Sequence, residues 1–275
     1  MLIEARNISL DVPDMAQQVL IGRRRRLRIL NNVSISLRKG ETVGLVGESG
    51  SGKTSLGRAL LRLHEPSEGT LRFDGQDITH ASPAQLKPLR RRMQMIFQDP
   101  QSSLNPRHTI GRILATALTL NGMDARETAI AAILDRVGLP SSAIRRYPHQ
   151  LSGGQRQRVG IARAVALKPD FVVADEIVSG LDVSTQAQVL DLLKGLRAEM
   201  GLALAFISHD LSVVRYLCER VVIMQGGEIV EEGPTAEVFA NPRTDFTRTL
   251  IASIPLPQVM PGWLDETELP LRRQR

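Results

Sequence analysis

Apolar and polar residues alternate over 2–12 and 29–37, most clearly where Val33, Ile35 and Leu37 interleave with Ser34 and Ser36. A period of two predicts a strand in each stretch. The basic stretch 21–28 between them reads as a loop, and beyond Gly40 the apolar run Thr42 to Val46 predicts a short strand. A glycine-rich turn follows, and the period then changes. Leu56, Ala59, Leu60 and Leu63 stand at i, i+3, i+4 and i+7, the apolar stripe of a helix. Met93 to Phe97 predicts another strand, followed by a polar, proline-containing loop from Gln98 to His108.

Residues 109–147 read as helical, with Asp124 and Glu127 spaced as a capping box for the second of these helices. After Pro148 the pattern predicts a helix at about 153–167, a strand at 170–174 and a helix at 183–200. A strand at 202–207, a helix at 210–219 and a hairpin turned at Gly226-Gly227 complete it. Strands alternating with helices imply an α/β fold whose mostly parallel sheet is covered on both faces, with 109–147 as a helical insertion. Prolines at 255, 257, 261 and 270 predict an irregular tail over 255–275.

A chain of 275 residues, 42% hydrophobic and 23% charged, can bury one large core, and 3% aromatic content makes that core aliphatic. The lone cysteine, Cys218, excludes an internal disulfide framework or a thiolate metal cluster and suits a reducing compartment. No run approaches the ~18 apolar residues of a membrane span, and there is no signal-peptide core, so the chain is expected on the cytoplasmic side. The formal charge is +6, concentrated in Arg23 to Arg26 with Arg28, Arg90 to Arg92, and Arg272, Arg273 and Arg275. Solvated surface, an anionic membrane face and nucleic acid are the three readings of such clusters.

Gly47-Glu48-Ser49-Gly50-Ser51-Gly52-Lys53-Thr54 matches G-x-x-x-x-G-K-[ST] between an apolar strand and an amphipathic helix. The glycines let backbone N–H groups turn inward on phosphate oxygens, and the helix adds its positive end. Lys53 reaches the β- and γ-phosphates, the Thr54 hydroxyl binds Mg²⁺, and Ser55 follows at the helix start. Phe171 to Ala174 is an apolar run ending in Asp175-Glu176. Neighbouring strand residues point to opposite faces, so Asp175 can hold Mg²⁺ while Glu176 serves as general base toward water. Leu151-Ser152-Gly153-Gly154-Gln155 opens another helix, and its exposed N–H groups with the Ser152 hydroxyl make a second anion site.

With the phosphate loop upstream and Asp175-Glu176 downstream, this unaltered LSGGQ resembles the signature of the ATP-binding cassette of ABC proteins. The resemblance runs from residue 1 to about 255. It implies a P-loop NTPase fold with an N-terminal antiparallel β region and a helical signature subdomain at about 99–165, all within an ATPase domain over 1–254. It also implies a dimer in which Ser152, Gly153, Gly154 and Gln155 of one subunit close over ATP held by the other. Gln98 resembles the glutamine that senses Mg²⁺ and the attacking water, Asp182 in Ser179-Gly180-Leu181-Asp182 an aspartate crossing the dimer interface, and His209 the switch histidine at the γ-phosphate. Phe97 to Arg107 and Tyr147 to Gln150 are similar to segments of the dipeptide, oligopeptide and nickel importer ATPases. So is Arg243 to Thr247, although Phe246 stands where that group usually has tyrosine.

The implied activity is ATP hydrolysis powering solute import, with ATP and Mg²⁺ as cofactors. Permease subunits and a second ATPase subunit would be the partners, with an extracytoplasmic solute-binding protein reached indirectly. The place would be the cytoplasmic face of the membrane, as a peripheral subunit, and nucleic acid is not an expected partner. An ABC ATPase of DNA repair or translation is the rival, but the long coiled coils, zinc cysteines or paired cassettes typical of those are not seen. A regulator without turnover is the other, and Glu176 and His209 argue against it. Two positions depart from the family: Ile177 replaces the usual proline after the glutamate, and no aromatic precedes Phe73 to stack on adenine. Leu10 and Val12, or an arginine of 23–28, are the expected substitutes.

Overall fold

The computed structural model describes residues 1–13 and 26–253. Two sheets carry the fold. The first is antiparallel and four-stranded: β2 (Arg26–Leu37), β1 (Ile3–Pro13), β4 (Glu68–Phe73) and β5 (Gln76–Asp77) in that order across the sheet. The second has six strands, with β3 (Thr42–Gly47), β6 (Met93–Ile96), β7 (Phe171–Asp175), β8 (Ala203–Ile207), β9 (Arg220–Gln225) and β10 (Glu228–Pro234) arranged β10-β9-β3-β8-β7-β6. All its pairings are parallel except the β9–β10 hairpin at the edge.

The period-two pattern of the parallel strands sorts their side chains into two cores. Val43 and Leu45 of β3, Phe171 and Val173 of β7, and Ala205 and Ile207 of β8 face a core shared with β1, β2 and the helix α1 (Lys53–Leu60). Val172 and Ala174 of β7 with Leu204 and Phe206 of β8 face the other way. There they meet the helices between β5 and β8: α4 (Ile110–Leu120), α5 (Glu127–Arg136), α6 (Gly153–Val165) and α7 (Val183–Met200), while α2 (Pro83–Arg90) serves the first core and the short α3 (Pro100–Ser103) leads into α4. Each large apolar side chain so buried stabilises by roughly 1.5–3 kcal/mol relative to exposure. After β8 come α8 (Leu211–Leu217) and, past the hairpin, α9 (Thr235–Ala240) and α10 (Asp245–Ala252). Among the described residues no helix is long and apolar enough to cross a membrane.

The structure departs from the sequence reading at identifiable places. Arg26, Leu27 and Arg28 are not loop but the start of β2, paired with Pro13, Val12 and Asp11. The Arg28 guanidinium closes on Asp11 and Glu68, and that cross-strand charge pairing makes a basic segment compatible with an edge strand. The capping box at Asp124 and Glu127 does not form. The N-cap of α5 is Arg126, and the Asp124 carboxylate is taken by the Arg126 N–H and guanidinium two residues on. Phe97 lies beyond the end of β6, and α3 forms inside the expected loop. β4, β5 and α2 escape the pattern because β4 buries only Leu71 and Phe73 and β5 neither of its residues. Arg23 to Arg25, the arginines at 272–275 and the predicted tail lie outside the described residues.

Cys218 is buried at the end of α8, and desolvation pushes its thiol far above the usual range, so it stays protonated. It and Val214 press on Gly44 in the middle of β3: a Cβ there would stand 2.5 Å from Val214 Cγ1 and 3.2 Å from Cys218 Sγ. Gly44→Ala should therefore destabilise the fold by about 1–3 kcal/mol through overpacking. Urea unfolding will show this as a lower midpoint at unchanged slope, whereas a wild-type midpoint would mean that α8 moves aside freely.

Candidate active site

Strands β3, β8 and β7 lie side by side and run parallel, so the turns that follow them open at the same, carboxyl-terminal end of the sheet. β3 delivers the glycine-rich loop. Gly47 has φ +152°, and any Cβ there would collide with the Met224 carbonyl of β9. Gly50 and Gly52 also have positive φ, at +80° and +100°. Gly52 is the N-cap of α1 and offers no side chain for its N–H groups, which leaves them for an anion.

Lys53 is 5% exposed, and its ammonium donates to the carbonyls of Gly47 at 2.9 Å and Glu48 at 2.7 Å. Burial lowers its pKa, against the pull of the nearby Glu176 and Asp175 carboxylates. The Thr54 hydroxyl donates to Asp175 Oδ1 at 2.8 Å, although the two residues lie 121 positions apart in the chain. Burial raises the Asp175 pKa, opposed mainly by that bond. Among the described residues no three His, Cys, Asp or Glu side chains group as a metal site. Two hard oxygen donors beside a phosphate cradle nevertheless fit Mg²⁺, which uses one or two protein oxygens and takes the rest from phosphate and water.

Glu176 has a left-handed backbone, φ +45°, an uncommon conformation for a residue with a side chain and one that costs of order 1–3 kcal/mol. Its N–H is held by the Ile207 carbonyl at 3.0 Å, and the next residues, Ile177 and Val178, are buried in the helical-side core. Ile177 thus fills an apolar position without needing the ring of proline. Gln98, just past β6, donates its amide to Glu176 Oε2 at 2.8 Å. His209, after β8, places Nδ1 3.6 Å from Glu176 Oε1, and its side chain is 62% exposed, at the open lip of the site.

The fold thus gathers Gly47, Glu48, Ser49, Gly50, Ser51, Gly52, Lys53, Thr54, Ser55, Gln98, Asp175, Glu176 and His209 around the carboxyl-terminal end of the parallel strands. Ser152, Gly153, Gly154 and Gln155 form a separate group with Asp182. Ser152 and Gln155 make a reciprocal cap at the start of α6, which leaves the Gly153 and Gly154 N–H groups and the Ser152 hydroxyl hydrogen available. A Cβ on Gly154 would collide with the Thr185 methyl at the start of α7. Thr185 in turn donates its N–H and hydroxyl to Asp182, the N-cap of α7, and with Ser184 holds that carboxyl well below the usual range. Sequence reasoning did not find the role of Thr185, whose only local signal is its place three residues after a capping Asp. Nor is Leu10 free to face a base: it is 3% exposed and belongs to the core beneath β1, while Val12 is half-buried.

Comparison with known proteins identifies relatives of this chain. The family model described as ABC transporter matches residues 30–179. A Brucella ovis protein named provisionally as a peptide import ATP-binding protein is 51% identical over 234 residues, covering 84% of this chain and 74% of its own. The glutathione import ATP-binding protein GsiA of Salmonella paratyphi A is 50% identical over 235 residues, 84% of this chain but 38% of that longer protein. A solved ATP-binding cassette, a dimer in a post-hydrolysis state bound to ADP and Pi, superposes with a TM-score of 0.75 at 28% identity, covering 85% of this chain and 98% of its own. With the family model spanning more than half of the chain and relatives at 50–51% identity, the chain belongs to the ABC transporter family of ATP-binding, ATP-hydrolysing cassettes.

Proposed function

We propose that this chain holds ATP and Mg²⁺ in the cradle of Gly47 to Ser55 and hydrolyses ATP within a dimer. It would thereby power a membrane importer of peptides or related small solutes. The observation that carries this is the division of the groups just described: base, magnesium oxygens and phosphate cradle converge, while a second anion site stands apart on α6, packed on α7. One cassette therefore has one complete cradle and one unused phosphate cap, which suits two subunits exchanging caps.

Thr54 and Asp175, with Gln98 nearby, would hold Mg²⁺, which supplies charge neutralisation at the phosphates. Lys53 neutralises phosphate charge from inside the loop. Glu176, oriented by the Gln98 amide on one oxygen, accepts the proton of the attacking water on a carboxylate oxygen, and His209 at the lip reaches the terminal phosphate. Asp182 would face the partner subunit as a carboxylate already oriented by its own helix.

Support for a membrane partner lies beside Gln98. Leu63 and Phe97 are exposed apolar residues, and with Met95 and Arg163 they line a hollow of about 270 Å³. Arg163 of α6 donates to the Ser103 carbonyl of α3 and lies over the Phe97 ring at 5.8 Å. A permease helix in this hollow, or against the adjoining Asp99 to Arg107 loop, would thus act on Gln98 and on the signature helix together. Peptide import is favoured by relatives at 50–51% identity whose names specify peptide or glutathione import. In this reading the subunit sits peripherally on the cytoplasmic face of the inner membrane, reaches a solute-binding protein only through the permease and engages no nucleic acid.

Glu176→Gln should keep ATP binding and lower turnover by roughly 10²–10⁴, the worth of a positioned base. Single-turnover hydrolysis measures this, and near-wild-type turnover would remove Glu176 from the role. The shared-site arrangement is tested by mixing a Ser152→Arg subunit with a Lys53→Ala subunit. Each variant alone should be inactive, and the mixture should recover an ATP-filled composite site; no recovery would mean that the signature does not serve a neighbour. Cysteines placed in the Asp99 to Arg107 loop should cross-link to the permease in membranes, and cross-links confined to the C-terminal helices would refute that docking.

A further inference from the structure

Between Asp99 and Asp124, and again between Asp135 and Asp170, the sequence holds no carboxylate at all. The first stretch carries Arg107 and Arg112, and the second carries Arg145 and Arg146. Folding joins them. The Ile110 N–H donates to the Arg146 carbonyl at 2.8 Å, and the start of α4 lies so close to the 144–146 segment that a Cβ on Gly111 would stand 2.6 Å from Ile144 Cγ2. Arg107, Arg112, Arg145 and Arg146 are all exposed, and none closes on a carboxylate or carbonyl among the described residues. Glu127 lines the same hollow as Arg145 without forming an ion pair with it.

Elsewhere on the described surface arginines do close on acids: Arg28 on Asp11 and Glu68, Arg92 on Asp74 and Asp170, Arg220 on Glu41 and Glu232. The four arginines of this face therefore have no direct carboxylate partner among the described residues, and they belong to the same helical layer as the hollow proposed for the permease, since α4 packs on α6, which carries Arg163. We infer that this face rests on the headgroups of an anionic bilayer. Guanidinium groups suit it, because each is permanently charged and keeps its charge at the anionic surface. The inference depends on the permease-docking reading only for which side of the molecule looks toward the membrane.

Vesicles containing no permease separate the two. The full chain should bind phosphatidylcholine vesicles supplemented with phosphatidylglycerol, not phosphatidylcholine alone, and should be released at about 0.5 M salt. Arg107→Gln with Arg112→Gln, or Arg145→Gln with Arg146→Gln, should lower the partition constant by roughly 30-fold per pair. The same pairs changed to lysine should stay within a few-fold of wild type. A charge-matched control outside the face, Arg72→Gln with Lys87→Gln, should have little effect, and urea midpoints check that each variant is folded. Equal loss in the control would reduce the effect to net charge and overturn the inference. So would binding that ignores phosphatidylglycerol, failure of the lysine pairs, or pairs that impair only assembly with the permease, the last of which would name an acidic protein segment as the partner.

Discussion

A lysine ammonium buried at the end of a parallel sheet is the constraint around which this site is built. Lys53 loses its hydration on entering the loop, and an isolated buried charge would be heavily penalised. The Gly47 and Glu48 carbonyls replace water at the ammonium, and Asp175 and Glu176 supply opposite charge. Asp175 is buried in turn and receives the Thr54 hydroxyl, while Gln98 donates its amide to Glu176. The groups that would hold phosphate, metal and water are thereby the same groups that neutralise one another, a preorganised polar network of the kind electrostatic catalysis depends on.

The second consequence is geometric. The loop can curl around the ammonium because Gly47 brings bare backbone against β9, and on the neighbouring turn Glu176 adopts a left-handed backbone pinned by Ile207. Both positions fall where the parallel strands end, beside the two-sided core whose strands alternate their apolar side chains. Burial of Ile177 and Val178 immediately after Glu176 ties the candidate base to the helical-side core. On the other side of the site, Arg163 of that layer lies over Phe97 and donates to the Ser103 carbonyl, and these two residues flank Gln98 along the chain past β6.

The sequence by itself determined much of this protein. Local periods identified the strands and helices that bury continuous apolar stripes, and short contiguous motifs carried the phosphate loop, the paired carboxylates and the glycine signature, because each performs its chemistry with neighbouring residues. Where the signal was weak the reading failed for physical reasons. β4 and β5 bury too few side chains to show a period, Arg26 to Arg28 look like loop until Asp11 and Glu68 neutralise Arg28, and Asp124 satisfies a neighbouring arginine in preference to a helix. Only the tertiary structure decided that Thr54 meets Asp175 across 121 residues, that Gln98 orients Glu176, that Leu10 is spent on the core, and that Thr185 joins Gly154 to Asp182. It also decided that two arginine pairs more than thirty positions apart share one surface. These are contacts between distant segments, fixed by strand order and helix packing, and no local pattern of residue types encodes them.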